Sequence, residues 1–237
     1  MATDQDRSRP LKGTAGLRLA GTIVALSAAL LFGGCGSGDS PEASDPPNEI
    51  AGMTRNPPLV VGSASLPNVN PGRKNRGTHF RADKDGLMLV FFGYTFCPDV
   101  CPTTLADLRL ALAELAPSER RQVELAMVTV DPKRDSARVL NRYVGHFSPR
   151  DSFAAFRTGN PDRLARIEDQ FKAAHELGKP KADGSYDVAH RAQIYAVDDR
   201  GVVRVEWPFG AGFEAIAADI ENLLGQQPRP SVSGNDN

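Results

Sequence analysis

The chain has 237 residues, of which 41% are hydrophobic and 24% charged, a composition typical of a soluble domain with flanking tails. Its formal net charge is −1 and its basic residues are dispersed, which excludes a basic nucleic-acid surface and a polybasic membrane-targeting segment. The sequence has no internal repeats and no coiled-coil heptads, so solenoid and coiled-coil classes are also excluded.

The N-terminal 35 residues have the pattern of an export signal. Basic residues come first, at Arg7, Arg9, Lys12 and Arg18. The apolar run that follows, Leu19 to Phe32, is shorter than the roughly 20 residues of a bilayer-spanning helix and suits a signal peptide. Gly33 and Gly34 then precede Cys35, an arrangement that resembles a bacterial lipobox. The pattern predicts a lipoprotein signal peptide over residues 1–35, with Cys35 as the lipidated first residue of the mature protein.

The alternative interpretation of this segment is an uncleaved signal anchor with an incidental cysteine. Both interpretations place the rest of the chain outside the cytoplasm. With a lipid on Cys35, the predicted location is the outer face of the bacterial cell membrane.

Two low-complexity segments flank a central region. Residues 36–58 are rich in Gly, Ser, Pro, Asp and Glu, which predicts a flexible tether. Residues 226–237 have a similar composition and are predicted to be a disordered tail. The folded domain is therefore expected to span residues 59–225.

Two of the three cysteines, Cys97 and Cys101, lie between a predicted strand and a predicted helix. The apolar run Leu87 to Phe92 predicts the buried strand, and leucines at helical spacing predict the helix from about Pro102 to Leu115. Because a helix N-terminus favours negative charge, we expect at least one of the two thiols to ionise more readily than a free cysteine. Such a pair of thiols can form a disulfide or bind a soft metal ion.

The number of cysteines favours a reactive pair. Three cysteines in an exported protein leave one without a partner, but a lipidated Cys35 would leave the single pair Cys97 and Cys101. A disulfide that closes so short a loop adds little stability, because the entropic gain grows with loop length. A purely structural disulfide remains the alternative to a cysteine pair that is present for its reactivity.

The remaining elements alternate between strands and helices. Strands are predicted over residues 123–130, 153–157, 193–197 and 202–207, and helices over residues 136–147, 161–175 and 213–224. The residues Asp198 to Gly201 have the composition of a hairpin turn. The order predicts an α/β fold, a thioredoxin-like mixed sheet flanked by helices on both faces, with a parallel first βαβ unit.

The sequence contains the three blocks FFGYTFCPDVCPTTLADL, VTVDPKRDS and YDVAHRAQIYAVDDRG. Together these blocks resemble the Sco/SenC family of copper-binding thioredoxin-like proteins, which are linked to cytochrome c oxidase assembly. The resemblance implies that Cys97 and Cys101 supply thiolate ligands and His190 an imidazole ligand to one copper ion, Cu(I) or Cu(II). This sequence departs from the family at Ala189, where the family usually has Asp. A carboxylate that could orient the imidazole of His190 is therefore absent at this position.

The resemblance implies a copper chaperone without catalytic turnover, and the predicted lipid on Cys35 would anchor it to the membrane. Its expected partners are the copper subunit of cytochrome c oxidase or another cuproprotein, and a thiol reductant. The alternative is an extracytoplasmic thiol–disulfide oxidoreductase that uses Cys97 and Cys101 as a redox pair without metal. A peroxidase is a third hypothesis, but Pro98 stands where the peroxidatic motif has Thr, three residues before the nucleophile.

Other polar residues are expected to have structural roles. His79, His146 and His175 are predicted to be solvated surface side chains. Asp131 and Asp135 are predicted to lie in a strand-end turn, with Asp135 capping the next helix, rather than to form a carboxylate pair. Trp207 and Phe209 are expected to pack in the ordinary way rather than to form a docking patch.

Overall fold

The computed structural model describes residues 50–71, 77–148 and 153–226. Cys35, the predicted signal peptide and most of the predicted C-terminal tail lie outside these ranges. Within them, no helix has the length and apolar character needed to cross a membrane.

Strands and helices alternate along the described residues. The strands are β1 (Ser65–Pro67), β2 (Gly77–His79), β3 (Leu87–Gly93), β4 (Val123–Thr129), β5 (Phe153–Phe156), β6 (His175–Leu177), β7 (Val188–His190), β8 (Ile194–Asp198) and β9 (Val203–Trp207). The helices are α1 (Val100–Glu114), α2 (Pro117–Arg120), α3 (Ala137–Phe147), α4 (Pro161–Phe171) and α5 (Phe213–Gly225). The strands and helices predicted from the apolar patterns are present, with shifted ends.

A five-stranded mixed sheet forms the centre, in the order β5-β4-β3-β8-β9. The β3–β4 and β4–β5 pairs are parallel, and the β3–β8 and β8–β9 pairs are antiparallel. All seven residues of β3 are buried, as expected of a central strand covered on both faces. The predicted α/β class and the parallel first βαβ unit are confirmed.

Alternate side chains of β3 point to opposite faces of this sheet, and helices cover both faces. On one face Phe92 packs against Phe171 of α4, with ring centroids 5.3 Å apart. On the other face a Cβ on Gly93 would lie 2.9 Å from the sulfur of Cys101 in α1. The predicted thioredoxin-like sheet between two helical layers is therefore observed, and the cysteine pair lies on the α1 face.

Helix α4 is shorter than predicted and a strand takes its place. The helix ends at Phe171 because Lys172 adopts a left-handed conformation with φ 57°. His175, predicted near the end of that helix, instead begins β6. The antiparallel β6–β7 pair forms a two-stranded sheet separate from the central one. A second small sheet, β1–β2, was also not predicted.

The end of the predicted flexible tether is held against the domain. The backbone N–H groups of Ala51 and Gly52 donate to the Asp219 carboxylate at 2.8 Å each, and Trp207 Nε1 donates to the same group at 2.7 Å. Arg55 forms an ion pair with the buried Glu206. Residues 50–58 therefore do not behave as free linker, and flexibility of residues 36–49 stays a prediction.

Candidate metal centre

The cysteine pair lies where β3 passes into α1. Cys97 is in the connecting loop and is half-buried, whereas Cys101 is in the first turn of α1 and is 0% exposed. The backbone N–H of Cys101 donates to the sulfur of Cys97 at 3.3 Å, so both sulfurs face the same helix N-terminus. Gly93 allows this close packing, because a side chain there would collide with Phe91 and with the Cys101 sulfur.

His190, at the end of β7, reaches the same place from a distant part of the chain. Its Nε2 lies 3.3 Å from the Sγ of Cys101. Edge-on contacts with Phe91 and Tyr94 hold the ring, with centroids 5.9 and 5.8 Å away. Its Nδ1 lies 3.3 Å from the carbonyl oxygen of Arg191, which leaves Nε2 directed towards the sulfurs.

Cys97, Cys101 and His190 offer three ligand atoms that all lie within 4.8 Å of one another. Among the described residues, no other cluster of three or more cysteine, histidine or acidic side chains has metal-binding geometry. Two sulfurs and one imidazole nitrogen form a soft donor set that suits copper and disfavours magnesium or calcium. A structural zinc site has four ligands, whereas three converge here.

In the copper-free protein, the thiol of Cys101 ionises less readily than predicted. Burial raises the pKa of the Cys101 thiol well above its ordinary value. The expectation of easier ionisation is therefore wrong for this residue, because loss of solvent outweighs the favourable field of the helix N-terminus. Burial also lowers the pKa of His190, which keeps the imidazole neutral and able to bind a metal.

Tyr94 adds a neutral hydrogen-bonding group beside the sulfurs. Burial and the nearby sulfur of Cys97 raise the pKa of its phenol to about 12. The hydroxyl therefore keeps its proton at neutral pH. A protonated phenol would add no negative charge to a site in which copper binding converts two thiols to thiolates.

The centre opens to solvent through a cleft of about 350 Å³, bordered by Pro98, Val188 and Phe209. Phe209 is 46% exposed and forms part of the rim. Trp207 is fully buried in the core, as ordinary packing predicts. An ion bound in this cleft would remain accessible to a partner protein.

Asp131 and Asp135 have roles that differ in part from the prediction. Ser136, not Asp135, caps α3, since its side chain accepts from the N–H of Val139. The fully buried Asp135 instead accepts hydrogen bonds from the hydroxyls of Thr95 (2.5 Å) and Thr129 (2.6 Å). Asp131 is also buried and pairs with Arg134. The turn therefore binds the loop that carries Cys97, a role that sequence reasoning missed.

The remaining histidines supply no ligand atom to the centre, although His175 lies opposite His190 in the β6–β7 pair. His79 and His146 are exposed, as predicted. His175 is not a solvated surface residue, because its side chain is only 20% exposed and its Nδ1 lies 2.6 Å from a carboxylate oxygen of Glu168. This contact raises the pKa of His175.

Fold and site together define a thioredoxin-like domain with a convergent Cys–Cys–His centre. A model of the SCO1/SenC family matches residues 76–225, and the chain belongs to this family.

Similar proteins are known from several bacteria. The chain is 33% identical over 128 residues to an SCO2-like protein of Rickettsia prowazekii, covering 53% of this chain and 60% of that protein. The chain therefore spans about three-fifths of this curated relative. The apo Sco1 structure of Thermus thermophilus is similar with a TM-score of 0.61 and 28% identity, covering 74% of this chain and 97% of that one.

A second solved structure contains the metal. The ScoI protein of Bradyrhizobium japonicum, solved with copper bound, is 28% identical with a TM-score of 0.55. The similarity covers 70% of this chain and 97% of that one.

Proposed function

We propose that this protein is a copper carrier that binds one copper ion through Cys97, Cys101 and His190 and passes it to a cuproprotein. The observation that carries the proposal is the convergence of these three ligand atoms within 4.8 Å. Membership in the SCO1/SenC family, which includes the copper-bound ScoI of Bradyrhizobium japonicum, supports copper as the ion.

The chemistry of the site suits transient binding. Cu(I) is a soft ion that favours thiolate sulfur at low coordination number, and an imidazole also suits Cu(II). Copper binding must release the thiol protons, and the positive charge of the bound ion would offset the burial that otherwise disfavours the Cys101 thiolate. Because Cys97 and His190 border an open cleft, a partner can begin ligand exchange at these two residues, before the buried Cys101 is released.

The proposed location follows from the N-terminal sequence pattern. Lipidation of Cys35 would anchor the protein to the outer face of the bacterial cell membrane, with residues 36–49 as the flexible part of the tether. The proposed acceptor is the copper subunit of cytochrome c oxidase, a membrane enzyme. These assignments rest on the signal-peptide pattern and on family membership.

The thiol pair also couples copper loading to redox state. Oxidation joins the two sulfurs in a disulfide and releases two protons and two electrons to an oxidant. This removes both thiolates and should expel the metal, so a thiol reductant must act before the site is loaded again. Partial exposure of Cys97 beside a buried Cys101 also suits an attacking and a resolving thiol, so a thiol–disulfide oxidoreductase is the second candidate.

Copper retention separates the two candidates. The full chain, purified in mild detergent and reduced without oxygen, should retain about one Cu(I) per molecule when challenged with a Cu(I) chelator. Cys97→Ser and Cys101→Ser should each abolish retention. Absence of copper binding, together with efficient turnover in a disulfide-reduction assay, would instead establish the oxidoreductase.

Anchoring is tested separately on Cys35. Expressed in a bacterial host, the full chain should fractionate with membranes and carry a diacylglycerol detected by mass spectrometry. The variant Cys35→Ser should lack the lipid. A wild-type protein without lipid on Cys35 would contradict the proposed anchor while leaving the copper proposal intact.

A further inference from the structure

We propose that Arg134, with Asp131 and Tyr186, is a positioning residue that sets how closely His190 approaches the two thiols. The inference rests on the proposed copper-binding function and concerns the same site. It assigns a role to side chains that do not themselves contact the metal position.

The segment that carries His190 requires such support. We call residues 175–190, which comprise β6, β7 and the loop between them, the His190 hairpin. Its two strands have three residues each and pair only with each other. Since an isolated two-stranded hairpin is marginally stable in water, side-chain contacts with the rest of the domain must determine its position.

Arg134 and Asp131 hold the loop side of this hairpin through Tyr186. The Tyr186 hydroxyl donates to a carboxylate oxygen of Asp131 at 2.8 Å. Arg134 Nη1 donates to the Tyr186 carbonyl at 3.1 Å, and the guanidinium lies 4.0 Å from the centre of the Tyr186 ring. An ion pair joins Arg134 to the buried Asp131. Contacts therefore hold both the side-chain hydroxyl and the backbone carbonyl of Tyr186, which lies four residues before His190.

The same guanidinium contacts the cysteine loop. It lies 5.4 Å from the ring centre of Tyr94 and 5.5 Å from that of Phe96, the residue before Cys97. Tyr94 in turn packs edge-on against the His190 ring. One cation therefore contacts both the segment that carries the thiols and the segment that carries the imidazole.

The chemistry of arginine suits this position. A planar guanidinium can stack on aromatic rings while donating several hydrogen bonds in fixed directions. A lysine ammonium keeps the charge but has neither the plane nor the fork of donors. Arg134→Lys should therefore retain a charge partner for Asp131 while loosening the Tyr186 contacts.

The proposed route to the metal runs through the imidazole. His190 Nδ1 contacts the backbone carbonyl of the adjacent Arg191, so the ring moves with its own segment. A shift of the hairpin would change the 3.3 Å separation between Nε2 and the Cys101 sulfur. Loss of a contact that orients a metal ligand typically weakens metal affinity about 10- to 100-fold.

A double-mutant cycle on the full chain tests the inference. Cu(I) affinity, measured by chelator competition, should fall about 10-fold in Arg134→Lys and by a smaller factor in Tyr186→Phe, which keeps the ring but loses the hydroxyl. In a His190→Ala background the same substitutions should change affinity less than about twofold, because the ligand through which they act is absent.

The matched control is Arg55→Gln, which breaks another ion pair with a buried carboxylate, that of Glu206 on β9. It should lower the stability of the domain without changing copper affinity. The Cu(II) complex provides a second readout: Arg134→Lys should weaken the histidine nitrogen coupling in its electron paramagnetic resonance spectrum, and Arg55→Gln should not.

The outcomes distinguish this inference from the function it rests on. A wild-type chain that retains no copper contradicts the proposed function. Wild-type copper binding with unchanged affinity in both Arg134→Lys and Tyr186→Phe overturns the positioning role alone. If the substitutions lower copper affinity equally in the wild-type and His190→Ala backgrounds, the positioning role is also overturned, since Arg134 would then act on the thiols. Should Arg134→Lys fail to fold, Tyr186→Phe provides the same test.

Discussion

The imidazole Nε2 of His190 lies 3.3 Å from the sulfur of Cys101, although 89 positions separate the two residues. Sheet topology explains the approach. β8 pairs antiparallel with β3, and Ile194 at the start of β8 lies opposite Phe91 near the end of β3. Residues that precede β8 therefore lie beside residues that follow β3, which brings His190 to the cysteine loop.

Removing the imidazole should weaken copper binding and leave thiol chemistry intact. We expect His190→Ala to lower Cu(I) affinity on the order of 100-fold, the upper end of the loss caused by removing a contact that orients a ligand. Oxidation of Cys97 and Cys101 to a disulfide should proceed as in the wild type, which thiol titration measures. His79→Ala, an exposed histidine on β2, is the matched control and should retain wild-type affinity. Unchanged affinity in His190→Ala would exclude the histidine as a ligand.

The two thiols should differ in their reaction with alkylating agents. In the reduced, copper-free protein, iodoacetamide should modify Cys97 first, because Cys101 is fully buried and burial raises its pKa. Peptide mapping by mass spectrometry after short exposures measures the order. Bound copper should protect both residues. Faster modification of Cys101 would contradict the arrangement described for the loop.

The close contact at Gly93 should be intolerant of a side chain. An added Cβ would lie 2.5 Å from the Phe91 ring and 2.9 Å from the Cys101 sulfur. Gly93→Ala should therefore lower the free energy of unfolding by about 1–3 kcal/mol, the usual cost of overpacking, and also weaken copper binding.

Gly159→Ala is the control for this substitution, because a Cβ there meets nothing within 4 Å. Its free energy of unfolding should stay within about 0.5 kcal/mol of the wild type. Equal stability of the Gly93 and Gly159 variants, measured by denaturant unfolding, would show that the Gly93 contact is looser than described.

The ion pair of His175 with Glu168 should make stability depend on pH. The contact raises the pKa of His175 in the folded state, so its stabilisation is fully present below the unfolded pKa and lost as pH rises through the folded value. In the copper-free protein, the stability advantage of wild type over Glu168→Gln should be about 1–2 kcal/mol near pH 6 and should decline towards pH 9. An advantage that stays constant with pH would contradict a charged His175.

Much of the fold was predictable because its strands and helices have strong local patterns. The apolar run of β3 requires burial on both faces, which only a central strand provides. The turn from Asp198 to Gly201 was recognisable, and Gly201 there has a φ of 78° that suits glycine. Cys97 and Cys101 were identifiable from their place between a strand and a helix.

The rest of the site depends on contacts between distant residues. His190 has no distinctive local pattern, and only the family resemblance identified it. The helix predicted through His175 ends earlier because the tertiary fold stabilises the left-handed turn at Lys172 and the β6–β7 pair. The contacts of Arg134 with Tyr186 span 52 positions, which no local pattern reports.

The most direct test of the copper centre is X-ray absorption spectroscopy of the full chain loaded with one equivalent of Cu(I). The copper site should contain two sulfur ligands and one nitrogen ligand, and His190→Ala should lose the nitrogen while keeping both sulfurs. A copper environment without sulfur, or a nitrogen ligand that persists unchanged in His190→Ala, would contradict the assignment of Cys97, Cys101 and His190 as its ligands.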